Sequence, residues 1–145
     1  MAVASGGGHW VQLSRLVPAI QHHDCLWLTT MSVSNAPCGK RDVVRIEDFS
    51  RSDPIRMMKA SAHIWKIVRD FRPDVVITTG AAPGLVTLAL ARLLGARTIW
   101  LESIANAEKL SMSGQIAGRI ANLRLTQWPH LAKRHARLHY FGQVL

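Results

Sequence analysis

The segment Ser5-Gly6-Gly7-Gly8-His9 has the clearest capacity for chemistry in this chain. Consecutive glycines let the backbone take positive φ and approach a ligand closely. A short apolar stretch, Met1 to Ala4, precedes them. An amphipathic pattern follows, with Trp10, Leu13, Leu16, Val17 and Ile20 on one helical face. A helix start aims free N–H groups and a positive dipole end at whatever sits above the loop. Ser5, Gly6, Gly7 and Gly8 are therefore expected to bind substrate through a phosphate, a sugar or another electron-rich group. The plainer alternative is a tight strand-to-helix turn. His9 is placed to act as a general base or to hydrogen-bond a phosphate, although a histidine at a helix start is also a common structural group. The spacing is not G-x-G-x-x-G, which disfavours a nicotinamide cofactor.

Two further loops carry comparable residues. Gly80-Ala81-Ala82-Pro83-Gly84 follows a β-branched run, and its small side chains leave room above a sheet, so Gly80, Ala81 and Gly84 are candidates for binding substrate. A compact strand-to-helix turn is the competing reading. Glu102-Ser103-Ile104-Ala105-Asn106-Ala107-Glu108-Lys109 follows another buried run. Glu102 is placed there to bind hydroxyls or act as a base, unless it is a capping or salt-bridged carboxylate. Ser103 and Asn106 are candidate binding residues. Gln127-Trp128-Pro129-His130 adds an aromatic ring and a histidine, with Trp128 more naturally a core residue than a ligand platform. A Walker A pattern, a G-x-S-x-G elbow and a metal-ligand cluster are all missing, so neither metal nor cofactor is expected.

These loops need a scaffold. Cys25 to Thr30, Asp42 to Ile46, Pro73 to Thr79, Thr98 to Leu101, Leu123 to Thr126 and Leu138 to Phe141 read as further strands. Pro73-Asp74-Val75-Val76-Ile77-Thr78-Thr79 is continuous rather than alternating, as in a parallel sheet buried on both faces. Helices are expected from Asp53, a capping residue before Pro54, to about Phe71, from Leu85 to Leu94 closed by Gly95, and from Ser111 to Ala121. The first of these buries Met57, Ile64, Val68 and Phe71 and exposes Arg56, Lys59, His63, Lys66 and Arg69. Strand and helix alternate, so the class is α/β: a Rossmann-like, mostly parallel sheet with helices on both faces. One domain spans residues 1–145. In such sheets ligands bind beyond the carboxyl ends of the strands, where the three loops should converge.

Composition narrows the partners. The chain carries 18 Lys and Arg against 9 Asp and Glu, a formal net charge of +9, and no acidic residue follows Glu108. A surface this basic favours an anionic partner. No aromatic interleaving of the basic residues marks a nucleic-acid binder, so no nucleic acid is expected. Cys25 and Cys38 match neither a zinc motif nor a disulfide framework. The longest apolar run, Leu85 to Leu94, falls far short of the roughly 20 residues of a membrane span, and no signal peptide is apparent. The chain is expected to be cytoplasmic, with any membrane contact made at a surface.

The loop Ser5-Gly6-Gly7-Gly8-His9 is similar to the first glycine loop of GT-B glycosyltransferases related to MurG. More specific is an ordered set: Leu101-Glu102-Ser103-Ile104, then Glu108-Lys109-Leu110-Ser111-Met112-Ser113-Gly114, Gln127-Trp128-Pro129 and Tyr140-Phe141-Gly142. It resembles the Alg-fourteen-like oligosaccharide-biosynthesis family, including its PssD-like exopolysaccharide members. The resemblance implies the N-terminal half of a GT-B enzyme, made as a separate chain. It implies docking with an Alg-thirteen-like (PssE-like) subunit that binds the UDP-sugar. It further implies transfer of N-acetylglucosamine or a related sugar to a polyprenyl-pyrophosphate-linked acceptor. Members recruit the partner to the membrane. Eukaryotic members carry an N-terminal membrane helix, whereas here a strand starts at Met1, so the implied attachment is peripheral, to an anionic surface on the cytoplasmic face. His9 and Glu102 are the implied candidates for the base that deprotonates the acceptor hydroxyl. The alternative is a scaffold that only recruits a catalytic partner.

Overall fold

The computed structural model describes residues 1–33, 35–39, 42–50 and 52–144. Its six strands are β1 (Ala2–Ala4), β2 (Trp27–Thr29), β3 (Val43–Arg45), β4 (Val75–Thr78), β5 (Arg97–Leu101) and β6 (Leu123–Leu125). They form one sheet in the order β3-β2-β1-β4-β5-β6, parallel throughout. The chain winds outward from β1 in one direction and from β4 in the other. That reversal between β1 and β4 opens a crevice at their carboxyl ends.

Both sheet faces are packed, for a reason the strand residues make plain. Val3, Leu28, Val76 and Trp100 point to one face and Ala2, Ala4 and Trp27 to the other. The first face is covered by α3 (Pro54–Phe71), α4 (Ala82–Leu93) and α5 (Met112–Ile120). The second is covered by α1 (Gly8–Ser14) and α2 (Val17–Ile20). A short α6 (Pro129–Arg134) packs Leu131 with Leu110 and Leu138. The α3 helix starts as expected: Asp53 Oδ1 accepts the Arg56 N–H at 2.9 Å, and Pro54, which lacks a donor, occupies the first turn. Ile64 and Val68 are fully buried on it, while Met57 and Phe71 are half-buried.

Four expectations are corrected. The amphipathic stretch after His9 forms two helices instead of one. Pro18 has no N–H, and its ring collides with the carbonyl four residues earlier, so α1 stops at Ser14. The α4 helix starts at Ala82, not Leu85, because Pro83 is suited to a first turn, and this places Gly84 inside the helix. Val75, at the start of β4, is 41% exposed, so burial on both faces begins only at Val76. The strand expected over Leu138 to Phe141 is reduced to a single parallel bridge between Leu125 and His139.

Gly84 shows how tightly α4 packs on the sheet. A Cβ there would collide with the Thr78 hydroxyl, and both residues are buried. Gly84→Ala should therefore lower stability by about 1–3 kcal/mol, as over-packing does. Thr78→Ala in the same chain should recover part of that loss. Urea unfolding of the single and double variants measures both.

Candidate functional site

Two of the three expected loops meet at the β1/β4 crevice. The Ser5 N–H donates to the Gly80 carbonyl at 3.3 Å. The Thr79 hydroxyl donates to the His9 carbonyl at 2.7 Å, and His9 Nδ1 lies 2.7 Å from the Thr79 carbonyl oxygen. A carbonyl only accepts, so Nδ1 carries the hydrogen. In the neutral ring Nε2 is then left with its lone pair. The imidazole rests on Gly80, where a Cβ would lie 2.8 Å from its Cε1. Gly80, at φ +116°, is thus the seat of His9.

The glycine loop closes over this junction. Gly6 donates its N–H to Thr30 Oγ1 at 2.9 Å, and a Cβ on it would press on Met31. Gly7 has φ 68° and ψ −136°, a conformation essentially confined to glycine. Gly7 and Gly8 are exposed, and a Cβ on either would meet open space. Their backbone therefore faces solvent at the crevice, unblocked by side chains. Ser5 is buried beneath them, and Ala81 is the half-buried residue preceding α4. Gly84 is buried against Thr78. That placement gives it a packing role and withdraws it from substrate contact.

The third loop leaves the same sheet edge one strand further on, and its hydrogen bonds run sideways. Glu102 is 1% exposed. Its Oε2 accepts from Trp100 Nε1 at 2.9 Å, and its Oε1 accepts from Asn106 Nδ2 at 2.6 Å and the Ser111 N–H at 3.1 Å. A Cβ on Gly114 would collide with Oε2, so α5 begins directly against the carboxylate. Arg124 lies on the same side. Burial pulls its guanidinium below the ordinary arginine range, and Glu102 opposes that shift. Both carboxylate oxygens are committed, so the expected role of Glu102 as a base has no free oxygen to act on. Asn106 is committed to Glu102, and Ser103 Oγ accepts from the Ala105 N–H. Among the described residues no hydrogen bond joins this loop to His9 or Gly80.

Residues 127–130 explain the loop's course. Gln127 Nε2 donates to the Glu102 carbonyl at 3.2 Å, Trp128 Nε1 to the Ile104 carbonyl at 2.8 Å, and His130 Nε2 lies 2.6 Å from the Ala107 carbonyl. Trp128 and His130 therefore pin the third loop. Thr30 and Thr79 are site residues that sequence reasoning missed. Each is the last residue of a segment that reads as a strand, Cys25 to Thr30 and Pro73 to Thr79, and that position was their only signal. Among the described residues no group of three or more His, Cys, Asp or Glu is placed to hold a metal ion.

Glu102→Ala would remove the acceptor of three donors and the countercharge of Arg124. It should destabilise the fold by about 3 kcal/mol. Chemical denaturation checks this, and a loss within about 0.5 kcal/mol, the range of ordinary surface substitutions, would contradict the placement.

A family model described as oligosaccharide biosynthesis protein Alg14-like matches residues 45–144. The chain is similar to the UDP-N-acetylglucosamine transferase subunit ALG14 of Eremothecium gossypii, at 33% identity over 61% of this chain and 45% of that protein. The Yarrowia lipolytica subunit is 32% identical over 79% of this chain and 54% of that protein. The chain thus spans about half the length of these relatives. The Rattus norvegicus subunit is 24% identical over 100% of this chain and 82% of that protein. Among solved structures, MurG from Acinetobacter baumannii superposes with a TM-score of 0.71 at 17% identity, covering 96% of this chain and 45% of that one. A UDP-N-acetylglucosamine 2-epimerase from Rickettsia bellii also gives 0.71, at 11% identity, over 99% and 44%. These likenesses show the fold, the Rossmann-like architecture of half a GT-B protein. Together with the family match over residues 45–144, they show that the chain belongs to the Alg14-like family of oligosaccharide biosynthesis proteins.

Proposed function

We propose that this chain is the acceptor-side subunit of a two-chain UDP-sugar glycosyltransferase, which transfers N-acetylglucosamine or a related sugar to a polyprenyl-pyrophosphate-linked glycan. The observation that carries the reading is the exposed Gly7–Gly8 backbone beside a histidine whose Nδ1 is anchored and whose Nε2 is left free, in a chain of this family. The name of its relatives, transferase subunit, supports a second component. In this reading an Alg-thirteen-like chain holds the UDP-sugar across the cleft. The pyrophosphate of the acceptor lies against the glycine loop. The acceptor hydroxyl attacks the anomeric carbon, UDP leaves with the bonding electron pair, and His9 Nε2 takes the hydroxyl proton. Glu102 acts one step removed, by holding the third loop and the start of α5.

The same subunit is proposed to bring its partner to an anionic membrane surface on the cytoplasmic side. Among the described residues no helix is long and apolar enough to cross a membrane. The outer side of α3 exposes Arg56, Lys59, His63, Lys66 and Arg69 beside Ile55 and Met58, which are 65% and 67% exposed. Lys133, Arg134 and Arg137 add a second exposed basic group. Each basic residue near an anionic bilayer contributes about 1 kcal/mol, screened over roughly 10 Å at 0.1 M salt.

Three outcomes follow. Purified chain alone should give no transfer from UDP-N-acetylglucosamine to a polyprenyl-pyrophosphate acceptor, and chain plus partner should. Robust turnover by the chain alone contradicts the two-component reading. His9→Asn keeps a donor toward the Thr79 carbonyl and removes the base. It should cut turnover of the pair by about 100-fold or more with assembly intact, whereas unchanged turnover would leave the chain a recruiting scaffold. Binding to anionic liposomes should weaken steeply with salt and with charge reversal at Lys133, Arg134 and Arg137. Salt-insensitive binding points to an apolar anchor instead.

A further inference from the structure

Two consecutive threonines stand at the carboxyl end of β4, and their hydroxyls have different partners. Thr78 stays within its own turn: its Oγ1 accepts the Gly80 N–H at 3.1 Å and donates to the Gly80 carbonyl at 3.4 Å. Successive side chains of a strand point to opposite faces. Thr79 therefore leaves on the other side, the face where Ile77 packs with Leu13 of α1. There the Thr79 hydroxyl donates to the His9 carbonyl at 2.7 Å, and His9 Nδ1 donates to the Thr79 carbonyl at 2.7 Å. We propose that Thr79 is a positioning residue, whose hydroxyl clamps the first turn of α1 so that the His9 imidazole keeps its hydrogen on Nδ1 and turns Nε2 into the crevice. This role rests on the reading of His9 as the base and adds the side chain that holds it ready.

Three observations support it. First, α1 does not fix its own position. It has 7 residues, against the roughly 12–15 that an isolated helix needs in water. Its N-cap, Gly7, makes no side-chain capping bond, and the glycines before it leave the backbone free to turn. Contacts with the rest of the fold must therefore place its first turn. Leu13 is fully buried, and Trp10 meets Trp27 edge-on with ring centroids 5.7 Å apart. Those contacts are apolar and non-directional, so they hold the helix down without setting its register. The bond from Thr79 to the His9 carbonyl is directional and acts on the first turn itself. Second, the two bonds between Thr79 and His9 are reciprocal. Each side chain donates to the backbone of the other residue, 70 positions away in sequence. One bond alone would let the imidazole pivot. Two opposed bonds fix both the ring and the backbone that carries it, with Gly80 as the floor beneath the ring. Third, Thr79 is fully buried, so its hydroxyl must find an acceptor inside the fold, and a buried donor left without one is costly. The clamp is therefore closed before a ligand arrives. A ring nitrogen that donates to a carbonyl sets the tautomer, so holding the register also holds the lone pair on Nε2.

The test reads the His9 ring nitrogens directly, by long-range proton–nitrogen NMR of the full chain at a pH where the ring is neutral. The His9→Asn variant identifies its signals. In the parent, Nδ1 should resonate as a protonated nitrogen and Nε2 as one with a lone pair. Thr79→Val keeps the β-branched shape and the backbone carbonyl but loses the hydroxyl. It should move both signals toward the averaged values of a ring that exchanges between tautomers. Thr79→Ser restores the hydroxyl and should restore the parent pattern. A packing role alone would lower stability without moving the tautomer, and urea unfolding of the same variants separates the two. With the partner present, Thr79→Val should lower kcat about tenfold or more and leave KM within about twofold, and Thr79→Ser should recover most of the loss. Parent-like ring signals in folded Thr79→Val overturn the clamp. So does a parent ring protonated at Nε2, or a serine variant that behaves like the valine one. Should Thr79→Val fail to fold, the parent spectrum and the serine variant decide the matter. The reading of His9 as the base fails separately, if Thr79→Val frees the ring while the pair turns over as fast as the parent.

Discussion

The imidazole of His9 rests on the backbone of Thr79 and Gly80, and the active geometry proposed for this chain depends on that contact. It joins the loop after β1 to the loop after β4, the two places where the winding of the sheet reverses. Neither loop would form the crevice alone. Gly80 has no side chain, so the ring can approach, and the Thr79 carbonyl selects the tautomer that leaves Nε2 free. Gly7 and Gly8, whose exposed backbone is the other half of the proposed site, lie directly before His9 in the same loop. Pre-organisation here is structural. The histidine is held before any ligand arrives by two hydrogen bonds with Thr79, one donated by the Thr79 hydroxyl and one donated by His9 Nδ1.

A second junction stands beside the first and has a different purpose. Glu102 gathers donors from the strand it ends, from the loop that follows and from the start of α5. Gly114 and Gly118 let α5 lie close enough to receive Glu102 and Arg124, since a Cβ on either would collide with those side chains. Trp128 and His130 then hold the outer turn of the loop by its carbonyls. A buried carboxylate satisfied by three donors is costly to disturb, so the third loop is fixed as part of the frame.

Much of this was legible in the residues. The β-branched run Val75-Val76-Ile77-Thr78, the Asp53-Pro54 helix start and the glycine loop each carry a local signal, and each stands where that signal placed it. The errors share one cause, a local pattern overruled by one residue or by tertiary structure. Pro18 sits inside an amphipathic pattern that otherwise reads as one helix. Pro83 starts α4 early and turns Gly84 from a loop residue into a packing residue. Leu138 to Phe141 has a strand-like composition but only one bridge to β6. The α6 helix was not foreseen, although Pro129 marks its first turn. The site was half legible for the same reason. His9 and Gly80 could be nominated separately, but their contact spans more than 70 residues of sequence, and the commitment of Glu102 to Trp100, Asn106 and Ser111 exists only once the chain has folded.

In the proposed geometry the acceptor pyrophosphate lies on the Gly7–Gly8 backbone with His9 Nε2 turned toward the reacting hydroxyl. A crystal structure of this chain with its partner and a short-chain prenyl-pyrophosphate glycan tests it most directly. Pyrophosphate oxygens are expected within hydrogen-bond distance, about 2.7–3.2 Å, of the glycine-loop N–H groups. The Thr79 carbonyl should still hold His9 Nδ1 in that complex. A ligand bound instead at the amino edge of the sheet, in the cavity of about 350 Å³ against Cys25, Arg72 and Val75, with the glycine loop empty, would contradict it.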